Sequence, residues 1–347
     1  MKRLFNKVNG RLLKEQLQFD KEPRTTLSFY QYARIGNPLV FRDHFFILMD
    51  QLDVKGRIYV ASEGINAQMS VPEKHIEAFK NALESIVFLK NVRLNYAIED
   101  DGRSFFKLSV KVRNKIVADG LNDETFDVTQ KGIHLNAIDF NHLTDDPNTI
   151  VVDMRNHYES EVGHFINAIT PDVETFRESL PVVEELLQPH KDKNLIMYCT
   201  GGIRCEKASA YLKHKGFKKV YQLEGGIIEY ARKVSELGIE NKFVGKNFVF
   251  DERLGERISE EVIAHCHQCG ILCDVHVNCA NDACHLLFIQ CDQCAVKYKK
   301  SCSHMCRDFN DLPEEQKRIL RKNQVFNGTR FGKGRYKAHR NENSPLL

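Results

Sequence analysis

Nine of the eleven cysteines in this 347-residue chain fall between Cys266 and Cys306, and only Cys199 and Cys205 precede them. The opening residues, MKRLFNKVNGRLLKEQLQFD, lack the apolar core of a secretory signal, so a reducing, cytoplasmic setting is expected. There, crowded cysteines favour a metal site or redox chemistry over a disulfide framework. Two C-x-x-C knuckles, Cys266/Cys269 and Cys291/Cys294, are separated by 21 residues. Each knuckle lets two thiolates grip one tetrahedral zinc, and two knuckles complete a four-thiolate site. Cys273, Cys279, Cys302 and Cys306, with Cys284 beside them, leave enough ligands for a second ion, and His267, His276, His285 and His304 stand in reserve. A closed site of four thiolates has no open coordination position, so its expected role is stabilisation and RNA docking, not catalysis. Disulfides or free thiols are the competing reading.

Charge is as unevenly spread as cysteine. The chain carries 50 Lys+Arg against 47 Asp+Glu, a net +3, but residues 295–347 alone hold 13 basic and 5 acidic residues. A basic arm on a mildly acidic body points to a polyanionic partner. Within the arm, Arg321, Lys322, Arg330, Lys333 and Arg335 interleave with Phe326, Phe331 and Tyr336. That mixture suits phosphates and unpaired bases, and a solvated tail is the plain alternative. No run of apolar residues reaches the length of a membrane span, so no membrane contact is expected.

The remainder divides by pattern. After an N-terminal extension (1–25), residues 26–120 show aromatic and β-branched strands alternating with amphipathic helices in the order β-α-β-β-α-β. That is the split βαβ, ferredoxin-like arrangement. Residues 121–147 are polar and turn-rich and read as a linker. From 148 to 240, short continuous apolar runs (NTIVVDMRN, KNLIMYC) alternate with helical stretches, which predicts a parallel, doubly wound α/β domain. A Cys-rich module (241–310) and a basic tail (311–347) complete a multi-domain α/β chain.

The stretch LIMYCTGGIRCEKASAYL carries the chemistry. A buried strand ends at Tyr198, Cys199 follows, and Thr200, Gly201, Gly202, Ile203 and Arg204 lead into a helix near Cys205. Backbone N–H groups, the positive end of a helix and a guanidinium all favour a thiolate at Cys199, and the two glycines let the loop curl around a sulfur or a bound anion. A buried structural cysteine beside a Gly-rich turn is the plain alternative. Cys205 either resolves an oxidised Cys199 or only packs at the helix start.

CTGGIR resembles the six-residue active-site loop of rhodanese domains, and VVDMRNHYESEVGHFINAI and VYQLEGGIIEY resemble the segments that accompany it. With SEGINA (Ser62 to Ala67) in the N-terminal module, NFVFDERLGERI and the Cys-rich tail, the chain from about residue 26 to 310 resembles the rhodanese-related tRNA uridine hydroxylase family. The resemblance implies oxygen-dependent 5-hydroxylation of the wobble uridine of tRNA. It also implies molecular oxygen as co-substrate, no organic cofactor, and Cys199 as the essential residue. By the same match Asp153 and Arg155 support the site; on their own they read as a strand-end ion pair. His157 and His164 fit packing better than acid–base work. Glu63 and Asn66 of SEGINA suit either RNA contact or, with Gly64, a tight turn. Two rivals stand beside hydroxylation: a sulfurtransferase carrying a persulfide on Cys199, and a non-enzymatic RNA-binding or redox-sensing protein.

Overall fold

The computed structural model describes residues 4, 10–20, 22–121, 129–323 and 336. The chain forms two compact units: Met1–Val151 with Leu187–Glu240 and Asp251–Arg253, and Val152–Leu186 with Asn241–Phe250 and Leu254–Leu347.

The first unit opens with α1 (Gly10–Phe19), inside what the sequence suggests is an extension. Then come β1 (Arg24–Tyr32), α2 (Pro38–Gln51), β2 (Lys55–Ala61), β3 (Gly64–Pro72), α3 (Ile76–Glu84), β4 (Asn95–Tyr96) and β5 (Leu108–Val112). Their sheet runs β4-β1-β3-β2-β5, antiparallel except that β5 pairs in parallel with β2. The split βαβ order is therefore present, extended by one strand. Alternation sorts the faces: Phe29, Ile58, Val60, Ile65, Ala67, Met69 and Val110 join Phe45 and Met49 of α2 and Phe79 and Leu83 of α3 in one core. Asn37 caps α2 by accepting from the Val40 N–H at 3.1 Å, with Pro38 at the first helical position, where its missing N–H costs nothing.

Residues 133–144, read from sequence as linker, are not one. They form β6 (Ile133–Leu135) and α4 (Ala137–Thr144), and β6 pairs in parallel with a strand nearly ninety residues later. The reason the pattern hides it is physical. Two of the three β6 residues face out, Ile133 being 63% exposed, so no continuous apolar run marks the strand. Next along the chain are β7 (Thr149–Asp153), α5 (His157–Ser160), β8 (Gly163–Phe165), α6 (Phe176–Leu187), β9 (Asn194–Tyr198), α7 (Ile203–His214), β10 (Lys219–Leu223) and α8 (Gly226–Leu237). The sheet order is β6-β10-β9-β7, with both β6 and β9 parallel to β10. Every residue of β9 is buried, as expected for a strand covered on both faces.

In the second unit, β11 (Phe243–Asn247) lies between β8 and β12 (Glu256–Arg257). The segment assigned to the Cys-rich module thus starts by pairing with a strand eighty residues earlier. A hairpin of β13 (His276–Asn278) and β14 (Leu287–Ile289) follows, then α9 (Asp292–Lys297), α10 (His304–Asn310) and α11 (Glu314–Asn323). Among the described residues, no helix is long and apolar enough to cross a membrane.

Candidate active site

Cys199 sits directly past the buried end of β9 and is itself 0% exposed. The loop after it turns through the left-handed Gly202 (φ 98°) into α7, and the Gly202 N–H donates to the Cys199 sulfur at 3.1 Å. Burial alone would raise the Cys199 thiol. The side chain of Cys205, the charge of Arg204 and the N–H groups of Arg204 and Gly202 outweigh it, and the pKa falls to about 6. Cys199 is therefore mostly thiolate at neutral pH, the nucleophilic form. Arg204 also reaches the Thr200 hydroxyl at 3.4 Å.

The outside of the loop is held by the turn after β10. The Ile227 and Ile228 N–H groups donate to the carbonyls of Cys199 and Thr200 at 3.1 and 3.2 Å. Gly226, at φ 66°, permits that approach, since a Cβ there would lie 2.5 Å from the Cys199 carbonyl oxygen.

The N-terminal sheet supplies groups that sequence reasoning did not find. The Tyr30 hydroxyl donates to Glu206 at 3.2 Å, and the Tyr32 hydroxyl to the Ile203 carbonyl at 3.3 Å. Burial, then the charges of Glu206 and Cys199, push the Tyr30 phenol well above its usual range, so it stays protonated. Glu206 also binds Lys131 at 2.8 Å and His134 at 3.0 Å. Burial would raise its carboxyl, but the hydrogen bonds from His134 and Lys131 and the Lys131 charge bring it below its ordinary value. Asn95 places its amide 3.5 Å from the Gly201 carbonyl.

One turn into α7, the buried Lys207 ammonium lies 2.6 Å from Glu63 and 2.5 Å from Asp119. Burial would lower it, yet the two carboxylates keep its pKa above the ordinary lysine value. Glu63 also accepts from the Ile116 N–H at 2.7 Å, and Asn66 donates to the Ile116 carbonyl at 3.1 Å. Gly64 sits where a Cβ would lie 2.1 Å from the Gln31 carbonyl oxygen. SEGINA is thus a turn and a clasp, with Glu63 engaged by Lys207. The only sequence sign was a glutamate and an asparagine flanking a turn glycine.

Asp153 and Arg155 lie in the second unit. Both are fully buried and pair with each other, Arg155 Nη2 reaching Asp153 Oδ2 and the Gly163 carbonyl, each at 2.6 Å. His157 and His164 place their Nδ1 atoms 3.1 Å from backbone carbonyls of Val173 and Phe165.

The cysteines of the second unit gather in two groups. One is Cys266, Cys269, Cys291 and Cys294; the other is Cys279, Cys284, Cys302 and Cys306. In each group the sulfurs lie within 4.8 Å of one another and could hold a metal ion, and no cysteine is in a disulfide. Cys273, proposed as a ligand from sequence, belongs to neither group, although it packs beside Cys266, Cys291 and Cys294. It packs in the hydrophobic cluster with Ala264 and Ile289, and Cys284 completes the second group in its place. Sulfur pairs at 3.6 Å (Cys269–Cys291), 3.8 Å (Cys284–Cys302) and 3.7 Å (Cys302–Cys306) fit the edge of a thiolate tetrahedron, about 3.8 Å for a zinc–sulfur bond of about 2.3 Å. Backbone N–H groups of Cys291 and Cys302 point at the sulfurs of Cys266 and Cys279, each at 3.4 Å. Three of the four reserve histidines are engaged elsewhere: His267 pairs with Glu161 at 2.8 Å, His276 packs on Phe248 and His304 on Tyr298.

Of the basic arm, Arg321 lies 6.0 Å from the Phe309 ring, and Lys322 falls in α11. Arg330, Lys333 and Arg335 lie outside the described residues, as do Phe326 and Phe331. Tyr336 stacks on Phe288 with ring centroids 5.8 Å apart.

Three family models tile the chain: a UPF0176 acylphosphatase like domain over residues 24–116, a rhodanese-like domain over 136–233 and a rhodanase C-terminal region over 244–307. The tRNA uridine(34) hydroxylase of Photorhabdus laumondii is 55% identical over 99% of this chain and 98% of its own. That of Escherichia fergusonii is 53% identical over 99% of both. The chain belongs to the tRNA uridine(34) hydroxylase family.

A rhodanese-like domain protein from Staphylococcus aureus aligns with 28% of the chain and 90% of its own at 22% identity, with a TM-score of 0.24. In this hydroxylase family member the rhodanese-like match starts at residue 136, within the segment where β6 and α4 replace the expected linker.

Proposed function

We infer that the chain hydroxylates C5 of uridine 34 in tRNA, with Cys199 as the reacting residue and molecular oxygen as co-substrate. The observation that supports this most directly is a buried Cys199 held as thiolate by the Gly202 N–H and the Arg204 charge. Uracil C5 is too weak a nucleophile to take oxygen unaided. Addition of the Cys199 thiolate at C6 gives an enolate with electron density at C5, which is nucleophilic catalysis. Loop N–H groups and Arg204 are suited to the oxygen that takes up the charge. Once oxygen has added at C5, loss of the C5 proton expels the Cys199 thiolate from C6 and restores the ring. One oxygen atom stays on C5 and the other leaves as water, so two electrons and two protons are required. Two thiols closing to a disulfide supply both, and Cys205, hydrogen-bonded to Cys199, is the partner thiol we assign. Asp153 and Arg155 act as a structural pair in support.

The four-thiolate groups fit structural zinc by donor type and sulfur spacing. Bound zinc would tie the Cys266–Cys269 knuckle to α9 and the β13–β14 hairpin to α10, and take no part in turnover. A tRNA substrate supports a cytoplasmic setting, and the basic residues of the C-terminal arm are assigned to its phosphates.

Nucleoside mass spectrometry of unmodified tRNA incubated with purified protein and oxygen tests the reading. The expected product is 5-hydroxyuridine at position 34. Thiouridine instead would make the protein a sulfurtransferase, and no modified base with intact tRNA binding would make it a binding protein.

A further inference from the structure

Hydroxylation by a thiolate needs a proton that the reactive cysteine no longer holds. Cys199 is mostly ionised at neutral pH, so its thiol proton has already gone to solvent. When the sulfurs close to a disulfide and the second oxygen atom leaves as water, that proton has to return, and Cys199 is buried. Water is a far better leaving group than hydroxide, so a side chain that hands over the proton at that moment speeds the step.

Three side chains of the first unit join the surface to the Cys199 loop. His134, on β6, is exposed. Its Nε2 lies 3.0 Å from Glu206 Oε1, and the Tyr30 hydroxyl donates to that same oxygen at 3.2 Å. Glu206 is buried in the first turn of α7. Lys131 holds its other oxygen at 2.8 Å, which leaves Oε1 as the bridge between His134 and Tyr30. At the inner end, the Tyr30 hydroxyl lies 2.8 Å from the position a Cβ would take on Gly202. Gly202 is the residue whose N–H donates to the Cys199 sulfur. Glycine there serves the phenol's approach as well as the left-handed turn.

We propose that His134, Glu206 and Tyr30 form a proton relay that carries a solvent proton to the oxygen departing at Cys199. The relay rests on the reading that uridine is hydroxylated there. In one pass the Tyr30 O–H bond breaks and its proton joins the departing oxygen, which leaves as water. Glu206 Oε1 passes Tyr30 a proton taken from His134, and His134 recovers one from solvent. No electrons move along this line; the two sulfurs supply them.

Hydrogen peroxide makes the same demand without RNA. The Cys199 sulfur attacks one oxygen and is oxidised to the sulfenic acid, the O–O bond breaks, and the other oxygen takes a proton to leave as water. Iodoacetamide alkylates the same sulfur but expels iodide, which needs no proton. Both rates are read by peptide mass spectrometry on full-length protein, well above the Cys199 pKa of about 6. Tyr30→Phe and Glu206→Gln should slow peroxide oxidation at least about tenfold, with alkylation within about twofold of the parent. His134→Ala should show the same loss, and added imidazole should restore it. In turnover, Tyr30→Phe should lower kcat for 5-hydroxyuridine about a hundredfold and leave KM for tRNA unchanged. Peroxide oxidation at the parental rate in Tyr30→Phe and His134→Ala would overturn the relay. Parallel losses in alkylation, the mark of a structural role, would overturn it too. A parent protein that forms no 5-hydroxyuridine while the peroxide contrast persists would overturn the hydroxylase reading and leave the relay standing.

Discussion

Cys199 and the eight grouped cysteines of the second unit show one side chain serving two ends. Cys199 is a single sulfur facing backbone N–H groups and a guanidinium. The grouped sulfurs face each other at 3.6 to 3.8 Å, a spacing that a shared cation makes favourable and that bare thiolates would resist. The difference lies in what each sulfur looks at. Donors without a metal leave a lone pair available to attack; a shared ion would occupy it.

The sharpest way to break this contrast is to exchange the losses. Cys199→Ser should reduce 5-hydroxyuridine formation at least about a thousandfold, as loss of a nucleophile does, with metal content and melting temperature unchanged. A serine variant that retained full activity would remove Cys199 from the chemistry. Cys284→Ala should do the reverse: one of two metal ions lost by elemental analysis, and several kcal/mol of stability with it. Cys273→Ala is its control, expected to keep both ions and to cost only about 1 kcal/mol of packing. If Cys273→Ala lost an ion instead, the assignment of Cys284 would fall.

Lys207→Met is expected to destabilise the first unit by up to about 3 kcal/mol in urea unfolding, because it removes the buried cation shared by Glu63 and Asp119 and leaves Asp119 with Lys115 alone. A neutral outcome would mean that the carboxylates protonate or find water. The smallest effect belongs to Arg204→Gln. The Cys199 thiol is an acid with a depressed pKa, so its charged form persists above about 6 and disappears as pH falls through that value. Alkylation of Cys199 should therefore drop about tenfold per pH unit below 6 in the parent protein, and the whole profile should move up by about one unit in the variant. An unmoved profile would leave the backbone N–H groups as sufficient.

How much of this was legible in the sequence depends on how far apart the partners lie. The Cys199 loop announces itself, since strand, cysteine, two glycines and arginine are contiguous. The C-x-x-C knuckles likewise draw their thiolates from neighbouring residues. Cys279 and Cys284 share no such short spacing, and only the β13–β14 hairpin brings them to Cys302 and Cys306, which is why Cys273 looked equally eligible. Tyr30 meets Glu206 across 176 positions and Glu63 meets Lys207 across 144, and no local pattern encodes such pairings. The strand β6 was missed for a different reason: its contribution to the sheet is backbone pairing with β10, and its side chains largely face out, so its hydrophobicity carries no period to read.

The turn after β10 has a consequence beyond holding the loop still. By taking the carbonyls of Cys199 and Thr200 onto the Ile227 and Ile228 amides, it turns two lone-pair-bearing oxygens outward, away from the sulfur. The concave side is left rich in hydrogen and poor in electrons. Such a lining sorts visitors by charge before it sorts them by shape: an enolate oxygen or a phosphate gains on arrival, whereas a neutral molecule of the same outline gains little. Discrimination of that kind adds to the Arg204 charge, and it is inherited from the geometry of a glycine turn.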